Sequence, residues 1–153
     1  MKLFYLFLFL FSINTKVIAQ DSSISKSKSI NATTTLDYFN QTQKAYSGFL
    51  KNDFNNASRE YSIAFQTNDD KGLVKDRYIL ACCFAKLNES DSAFYQLFRI
   101  AEKGGYYNYQ QIEKDVCFKD LRQDQRWDKL IALIKKNASK IESQLNSGKF
   151  SNN

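Results

Sequence analysis

The sequence predicts an all-α protein, a short α-α superhelix of stacked helical hairpins that ends in a C-terminal capping helix. The first observation is a repeat, because residues 48–64 and 84–101 share one pattern at a spacing of 36 residues. In each, a polar turn precedes a small Ala, and apolar residues follow four and seven positions later. Repeats of this length are typical of helix pairs that bury their apolar faces only against neighbours. The second observation is that no segment shows the alternation of half-buried strands, and the chain has no Pro.

Residues 1–19 are predicted to be a secretory signal peptide. Lys2 gives a positive start, residues 3–11 form an unbroken apolar and aromatic run, and Ala19 stands where a signal peptidase would cleave. The run is shorter than the roughly 20 residues that a membrane-spanning helix needs, so cleavage is favoured over an uncleaved anchor. We therefore expect export to the periplasm or the extracellular space, with no stable membrane insertion after cleavage.

Three further segments follow the signal. Residues 20–34 are Ser-rich and carry too little apolar surface to order themselves, so they are predicted to be a flexible leader. Residues 35–146 hold the helical periodicity and are predicted to be one domain. Residues 147–153 are predicted to be a disordered tail.

Four apolar stripes at helical spacing predict the first four helices in order. They are Leu36, Phe39, Tyr46, Phe49 and Leu50; Phe54, Ala57, Tyr61, Ala64 and Phe65; Val74, Tyr78, Ala81, Phe84 and Ala85; and Ala93, Phe94, Leu97, Phe98 and Ala101. The turn within each pair falls near Asn52 and near Asn88. Ser90 is expected to cap the fourth helix through its hydroxyl, and Gly104 and Gly105 are expected to end it.

A long last helix is predicted after the less regular residues 106–124. Its stripe follows a 3,1,3,4,3,4 spacing, which is typical of one apolar helix face, and consists of Trp127, Leu130, Ile131, Ile134, Ala138, Ile141 and Leu145. Asp124 is the expected cap of this helix.

Small and apolar residues at equivalent places in the two segments resemble the signature of the tetratricopeptide repeat. They are Ala45, Ala57, Tyr61, Ala64, Ala81, Ala93, Leu97 and Ala101. The resemblance implies units of two antiparallel helices, whose small residues lie where the helices cross. The chain departs from the family at Arg77, which replaces an aromatic residue, and in lacking the closing Pro.

The segment from Asp115 to Trp127 resembles the closing segment of tetratricopeptide proteins exported by Bacteroidota. A repeat stack exposes apolar surface at its end and needs a cap, and Trp127 is the largest side chain available to cover it. Four residues are expected to form this cap: Asp115, Leu121, Arg126 and Trp127. Arg126 is expected to pair with Asp115 or Asp120, and the alternative is that Arg122 and Arg126 bind an acidic partner.

The composition excludes several kinds of chemistry. The chain has no His, which removes Ser-His-Asp and Cys-His catalytic sites and His-bearing zinc sites. It has only five Gly and no Gly-rich phosphate loop. Loss of Lys2 and Lys16 with the signal lowers the formal charge from +6 to +4, and the remaining basic residues are mixed with acids, so nucleic acid is not an expected partner. We expect no catalytic residue, no metal and no cofactor.

The favoured function is a non-catalytic module that binds a protein or peptide of unknown identity. By resemblance, the first helix of each pair would line a concave groove, with eight residues in contact with the partner: Phe39, Thr42, Tyr46, Phe49, Lys75, Tyr78, Cys82 and Lys86. Aromatic rings there would cover apolar side chains, and lysines would hold carboxylates. The structural alternative is that several of these aromatic residues belong to the core.

Two enzymatic functions are alternatives to this module. The first is a thiol redox or cysteine-based enzyme that would use Cys82, Cys83 or Cys117. The sequence allows a disulfide from Cys82 or Cys83 to Cys117, and the favoured interpretation is that all three are small buried apolar residues. The second alternative is hydrolysis by a pair of carboxylates, for which the candidates are Glu113, Asp115 and Asp120.

Overall fold

The computed structural model describes residues 35–147 of the 153-residue chain. The predicted signal peptide, leader and all but the first residue of the predicted tail lie outside the described residues. The chain divides into two compact units, residues 1–37 and 38–153. Of the first unit only residues 35–37 are described, and they are helical with exposed side chains.

The described part of the chain is all-α and contains no strand, which confirms the predicted class. Residues 35–50 are helical and are called α1. The later helices are α2 (Phe54–Thr67), α3 (Val74–Lys86), α4 (Ser90–Glu102), α5 (Tyr109–Lys114) and α6 (Arg126–Asn146), with single 3₁₀ turns at Val116–Phe118 and Asp120–Gln123. Within residues 35–147 no helix is long and apolar enough to cross a membrane.

Helices α1 and α2 form an antiparallel pair, the first hairpin. The ring of Tyr38 lies 6.1 Å from that of Phe65 at one end. At the other end Gly48 lies beside Ala57, and a Cβ built on Gly48 would be 3.5 Å from the Cβ of Ala57. Helices α3 and α4 form the second hairpin. It packs on α2 through α3 and on α6 through α4.

The turns of the two hairpins repeat the same backbone at the same spacing. Asn52 and Asn88, which are 36 residues apart, have positive φ values of 59° and 61°. Asn tolerates this left-handed region better than most residues. The next residue in each turn donates its N–H to an equivalent carbonyl, Asp53 to Gly48 at 3.0 Å and Glu89 to Phe84 at 2.9 Å. The repeat seen in the sequence is therefore present in the hydrogen bonds of the backbone.

Buried residues form two apolar clusters. One joins the first hairpin to α3 and contains Tyr38, Ala45, Tyr61, Ala64, Phe65 and Leu80. The larger one joins the second hairpin to the C-terminal elements and contains, among others, Ala81, Ala93, Leu97, Ile112, Phe118, Leu121, Trp127 and Ile134. The eight repeat positions are all at most 1% exposed. Small Ala side chains at these positions let the helix backbones approach closely.

The end of α4 shows why Gly stands at two successive positions. A Cβ on Gly104 would lie 2.7 Å from a methyl group of Val74 and 2.8 Å from the carbonyl oxygen of Ile100. Gly105 has a φ of 63°, a conformation that Gly adopts at little cost. The start of α4 differs from the prediction, because Glu89 occupies the cap position and no side chain, Ser90 included, makes a capping hydrogen bond.

The C-terminal cap has different ion pairs from those predicted. Arg126 pairs with Asp124 at 2.6 Å and with Asp91 at 2.7 Å, rather than with Asp115 or Asp120. Its guanidinium also lies 4.2 Å from the ring centroid of Phe94. The physical reason is that α6 starts beside the N-terminus of α4, which places Arg126 over that helix.

The last helix is buried only along its first half. Trp127, Leu130, Ile131 and Ile134 are buried, whereas Leu145 is 59% exposed. Asp124 was expected to cap this helix, but Gln125 occupies the cap position and no side chain makes a capping hydrogen bond there. Asp124 instead lies one residue earlier, where its Oδ1 accepts the N–H of Arg126 at 2.9 Å. The predicted apolar stripe thus continues beyond the part of α6 that packs on other described residues.

Candidate functional site

A cavity in the described part of the chain forms a groove between α1, α3 and residues 106–117. Its volume is about 650 Å³, within the range of about 300–1,000 Å³ that is common for ligand sites. The groove is lined by Tyr46, Phe49, Val74, Lys75, Tyr78, Ile79, Cys82, Tyr106, Gln111, Asp115 and Cys117.

Aromatic rings form part of the groove wall, and neighbouring rings contact one another. The rings of Tyr46 and Phe49 on α1 stack with centroids 6.3 Å apart. On the opposite side, the ring of Tyr78 lies 5.6 Å from Tyr106 and 5.3 Å from Phe118. Such pairs fix ring orientation and leave apolar faces toward the cavity.

Asp115 is the one acidic residue of the groove lining. Its Oδ2 accepts a hydrogen bond from the Tyr78 hydroxyl at 2.7 Å, and its Oδ1 accepts one from the N–H of Cys117 at 2.9 Å. Burial and the hydrogen bond to Asp115 raise the pKa of Tyr78 far above its ordinary value. The phenol therefore stays neutral near pH 7 and cannot serve as a base or nucleophile there.

The favoured prediction that all three cysteines are small buried apolar residues is wrong, because two of them form a disulfide. Cys82 of α3 forms a disulfide with Cys117 of the first 3₁₀ turn, with Cα atoms 5.2 Å apart. The bridge ties the C-terminal side of the groove to α3. Cys83 is the free cysteine and is fully buried. Burial raises the pKa of Cys83 to about 12, so it carries almost no thiolate at neutral pH.

Cys82, Asp115 and Cys117 also lie close enough to resemble a metal-ligand set, with ligand atoms within 4.8 Å of one another. Cysteine binds metals as a thiolate. Because both sulfur atoms are joined in the disulfide, neither can act as a thiolate ligand in this state.

A second, smaller cavity opens beside the groove and is called the chamber. Its volume is about 290 Å³, and it lies between α1, α2 and α3. Its lining residues are Thr42, Gln43, Tyr46, Tyr61, Lys75, Asp76 and Ile79. Tyr46, Lys75 and Ile79 line both cavities, so the groove and the chamber adjoin at these three residues.

Six of the eight predicted groove residues line one of these two cavities. Tyr46, Phe49, Lys75, Tyr78 and Cys82 line the groove, and Thr42 lines the chamber. Phe39 and Lys86 line neither cavity. Phe39 is 55% exposed, and Lys86 is exposed on the last turn of α3. The two helices expected to supply the groove therefore both do so.

The predicted pair of carboxylates is not assembled in the groove. Of the three candidates only Asp115 lines it. Glu113 forms an exposed ion pair with Lys135 at 3.2 Å, and Asp120 is exposed at the start of the second 3₁₀ turn. The three candidate acids therefore do not meet in the groove, as hydrolysis by a pair of carboxylates would require.

Sequence reasoning missed the part of the groove that residues 106–117 supply. Tyr106, Gln111 and Asp115 come from this irregular segment, where no periodicity assigns a side chain to a face. The sequence did carry one signal of this contact, since Cys117 lies 35 residues after Cys82, its disulfide partner.

Comparison with protein-family models, with curated proteins and with solved structures finds no significant match to this chain.

Proposed function

We propose that the chain is a non-catalytic, exported interaction module of the tetratricopeptide type, which binds a short extended segment of a protein or peptide in the groove. Under this proposal residues 35–146 form a small superhelix of hairpins closed by α6. The mature protein then acts in the periplasm or outside the cell as a scaffold or adaptor.

The observation that carries the proposal is the chemistry of the groove. Its walls are mostly aromatic and aliphatic, and its polar groups besides the tyrosine hydroxyls are few, namely Lys75, Gln111 and the carboxylate of Asp115. Concave apolar surface with a few oriented polar groups is the usual form of a binding site. Aromatic walls would cover apolar side chains of the bound segment, and Lys75 would pair with one of its carboxylates.

The repeat geometry supports the tetratricopeptide part of the proposal. The two hairpins have equivalent turns at Asn52 and Asn88, and equivalent Ala residues are buried where the helices cross. In such stacks the first helices of successive pairs line a concave face. Residues from α1 and α3 line the groove here.

The state of the potential nucleophiles favours binding over the thiol-dependent alternative. Cys82 and Cys117 are joined in a disulfide. Cys83 is fully buried with a pKa of about 12. A cysteine enzyme needs an accessible thiolate, and none of the three cysteines offers one.

Panning of a random heptapeptide display library on the immobilised mature protein tests this function. We expect enrichment of sequences rich in aromatic and aliphatic residues, and a synthetic copy should bind at micromolar Kd. Tyr46→Ala removes a groove ring that is 40% exposed and should weaken this binding about tenfold.

Tyr95→Ala is the matched control, because Tyr95 is 52% exposed on a helix and does not line the groove. It should bind like the wild type. Equal weakening by both substitutions, or no enrichment in the panning, would contradict the proposal.

A further inference from the structure

The chamber contains a buried carboxylate that forms no ion pair with any residue the structure describes. Asp76 is only 4% exposed. Its Oδ2 accepts a hydrogen bond from the Tyr38 hydroxyl at 2.6 Å, and it lies in the first turn of α3. Within residues 35–147 no Lys or Arg forms an ion pair with it. Buried charges are normally paired.

Tyr61 adds a second unpaired group to the same chamber. Its side chain is fully buried, yet its hydroxyl has no hydrogen-bond partner among the described residues. Burial and the nearby charge of Asp76 raise the pKa of this hydroxyl. The equivalent residue of the second hairpin, 36 positions later, is Leu97, which is also fully buried. An aliphatic side chain is therefore enough to fill the equivalent position in the second hairpin. Packing alone does not account for the hydroxyl of Tyr61.

The chamber adjoins the groove at Tyr46, Ile79 and Lys75, which line both cavities. Two of these side chains are largely apolar, and Lys75 is exposed and forms no ion pair with Asp76. A group that reaches Asp76 from the groove must lie against these side chains and offer a positive charge. A slim methylene chain that ends in an ammonium meets both conditions.

We propose that the chamber binds the ammonium of a lysine side chain that belongs to a peptide or protein segment lying in the groove. The ammonium donates to the carboxylate of Asp76 and the hydroxyl of Tyr61, and its methylenes lie against Tyr46 and Ile79. This inference rests on the proposed function, since the groove must hold the backbone of the segment. A lysine fits better than an amino terminus, whose own carbonyl and side chain would have to enter the smaller cavity of about 290 Å³.

The test uses an N-acetylated, C-amidated peptide with one lysine between two phenylalanines, and its binding to the mature protein is measured by calorimetry. In a second peptide norleucine replaces the lysine, which keeps the methylenes and removes the ammonium. A third peptide has norleucine and a free amino terminus. We expect the lysine peptide to bind about tenfold tighter than either of the others.

Two protein variants locate the effect. Tyr61→Phe removes only the unpaired hydroxyl, so it should fold with unchanged or higher stability and yet bind the lysine peptide about threefold to tenfold more weakly. Asp76→Asn should abolish the preference for lysine over norleucine. Tyr95→Ala, at a residue that lines neither cavity, should bind both peptides like the wild type.

Four other outcomes would contradict the lysine site, and one of them would also contradict the groove function. Equal binding of lysine and norleucine peptides, still weakened by Tyr46→Ala, overturns the lysine site and leaves the groove function standing. Preference for the free amino terminus also overturns the lysine site. Failure of all three peptides to bind, together with an unproductive panning, overturns both proposals. An unchanged lysine preference in Tyr61→Phe and Asp76→Asn places the ammonium elsewhere and overturns the site.

Discussion

The two hairpins share one backbone plan but are held together by different side-chain chemistry. In the first, Gln41 of α1 donates to buried Glu60 of α2. In the second, Arg77 of α3 donates to buried Gln96 of α4 at 2.7 Å. These residues are equivalent, since 41 and 77, like 60 and 96, are 36 positions apart. Each hairpin therefore has one such polar link, a side-chain hydrogen bond between its two helices. In the first hairpin the charged residue is the acceptor, Glu60, and in the second it is the donor, Arg77.

The surroundings of the two links also differ. Glu60 is 3% exposed and is reached by Lys44 and Arg59, both largely in solvent. Arg77 is instead buried and pairs with Asp70 at 3.0 Å, and its guanidinium lies 4.4 Å from the ring centroid of Phe65. The first hairpin thus relies on solvent-exposed cations, and the second relies on a buried one, which also contacts the preceding helix.

The second hairpin has two further supports, the cap and the disulfide, and removal of the cap should have the largest effect. Trp127 is 6% exposed in the larger apolar cluster. Trp127→Ala should lower the free energy of unfolding by about 3–5 kcal/mol, because a large buried ring is replaced by a cavity. Urea unfolding followed by circular dichroism measures it. Tyr107→Ala, at a 54% exposed aromatic residue, is the control and should change stability little.

Loss of the disulfide should have the next largest effect. The bridge links residues 35 positions apart, and closing a loop of that length in the unfolded chain stabilises a protein by about 3–4 kcal/mol in the chain-entropy model. Cys117→Ser should lower the urea midpoint accordingly, and a reductant should then have no further effect. Cys83→Ala keeps the bridge, so its midpoint should still fall on reduction. A wild-type midpoint that is insensitive to reductant would contradict this account.

The two buried links should respond unequally to substitution. Gln96→Leu leaves a buried nitrogen of Arg77 without its acceptor and should cost about 1–3 kcal/mol. Glu60→Gln weakens ion pairs whose cations are exposed, so it should cost no more than about 1 kcal/mol. Both free energies come from urea unfolding at neutral pH. Equal costs would show that exposure of the cation does not distinguish the hairpins.

These comparisons also show what the sequence could and could not reveal. Helical periodicity and the 36-residue spacing placed α1 to α4 and the Ala contacts, because both depend on local apolar pattern. The links were not predicted, since Gln41, Glu60 and Gln96 look like surface residues in a periodicity argument. In the sequence, Arg77 stands out only because it replaces an aromatic residue of the tetratricopeptide pattern.

The sequence predicted those residues of the candidate site that lie on the first helices of the two hairpins. Tyr46 and Tyr78 lie on the first helices of the hairpins, where the pattern indicated. Tyr106 and Asp115 come from a segment held by a disulfide and by caps, and such long-range constraints leave no periodic trace. The chamber was missed because its polar residues, such as Asp76, occupy positions where the pattern predicts surface.

The two turns should respond equally, in contrast to the links. Asn52→Ala and Asn88→Ala each force Ala into a left-handed conformation and should each cost about 1–2 kcal/mol. The Gly variants at the same positions should be near neutral, because Gly adopts this conformation readily. Urea unfolding of the four variants tests the equivalence of the turns. A cost at one turn only would break the shared backbone plan.

The smallest expected effect is on the pH dependence of stability, which depends on one carboxylate near each hairpin. Hydrogen bonds from Arg126 lower the pKa of Asp124, beside the second hairpin, to about 2. The hydrogen bond from Lys44 likewise lowers the pKa of Glu60 in the first hairpin. A folded-state pKa below the unfolded value gives stability that is present above the unfolded pKa and lost as the pH falls through the folded one.

Asp124→Asn should therefore flatten the decline of the urea midpoint between about pH 4 and pH 2, while Glu60→Gln should flatten it below the ordinary pKa of Glu. Asp120→Asn, at an exposed acid of the neighbouring 3₁₀ turn, should keep the wild-type profile. If Asp124→Asn and Asp120→Asn give the same profile, the Arg126 pair contributes nothing to the cap. The second hairpin would then depend on burial of Trp127 and on the disulfide, and the first would be the more acid-sensitive of the two.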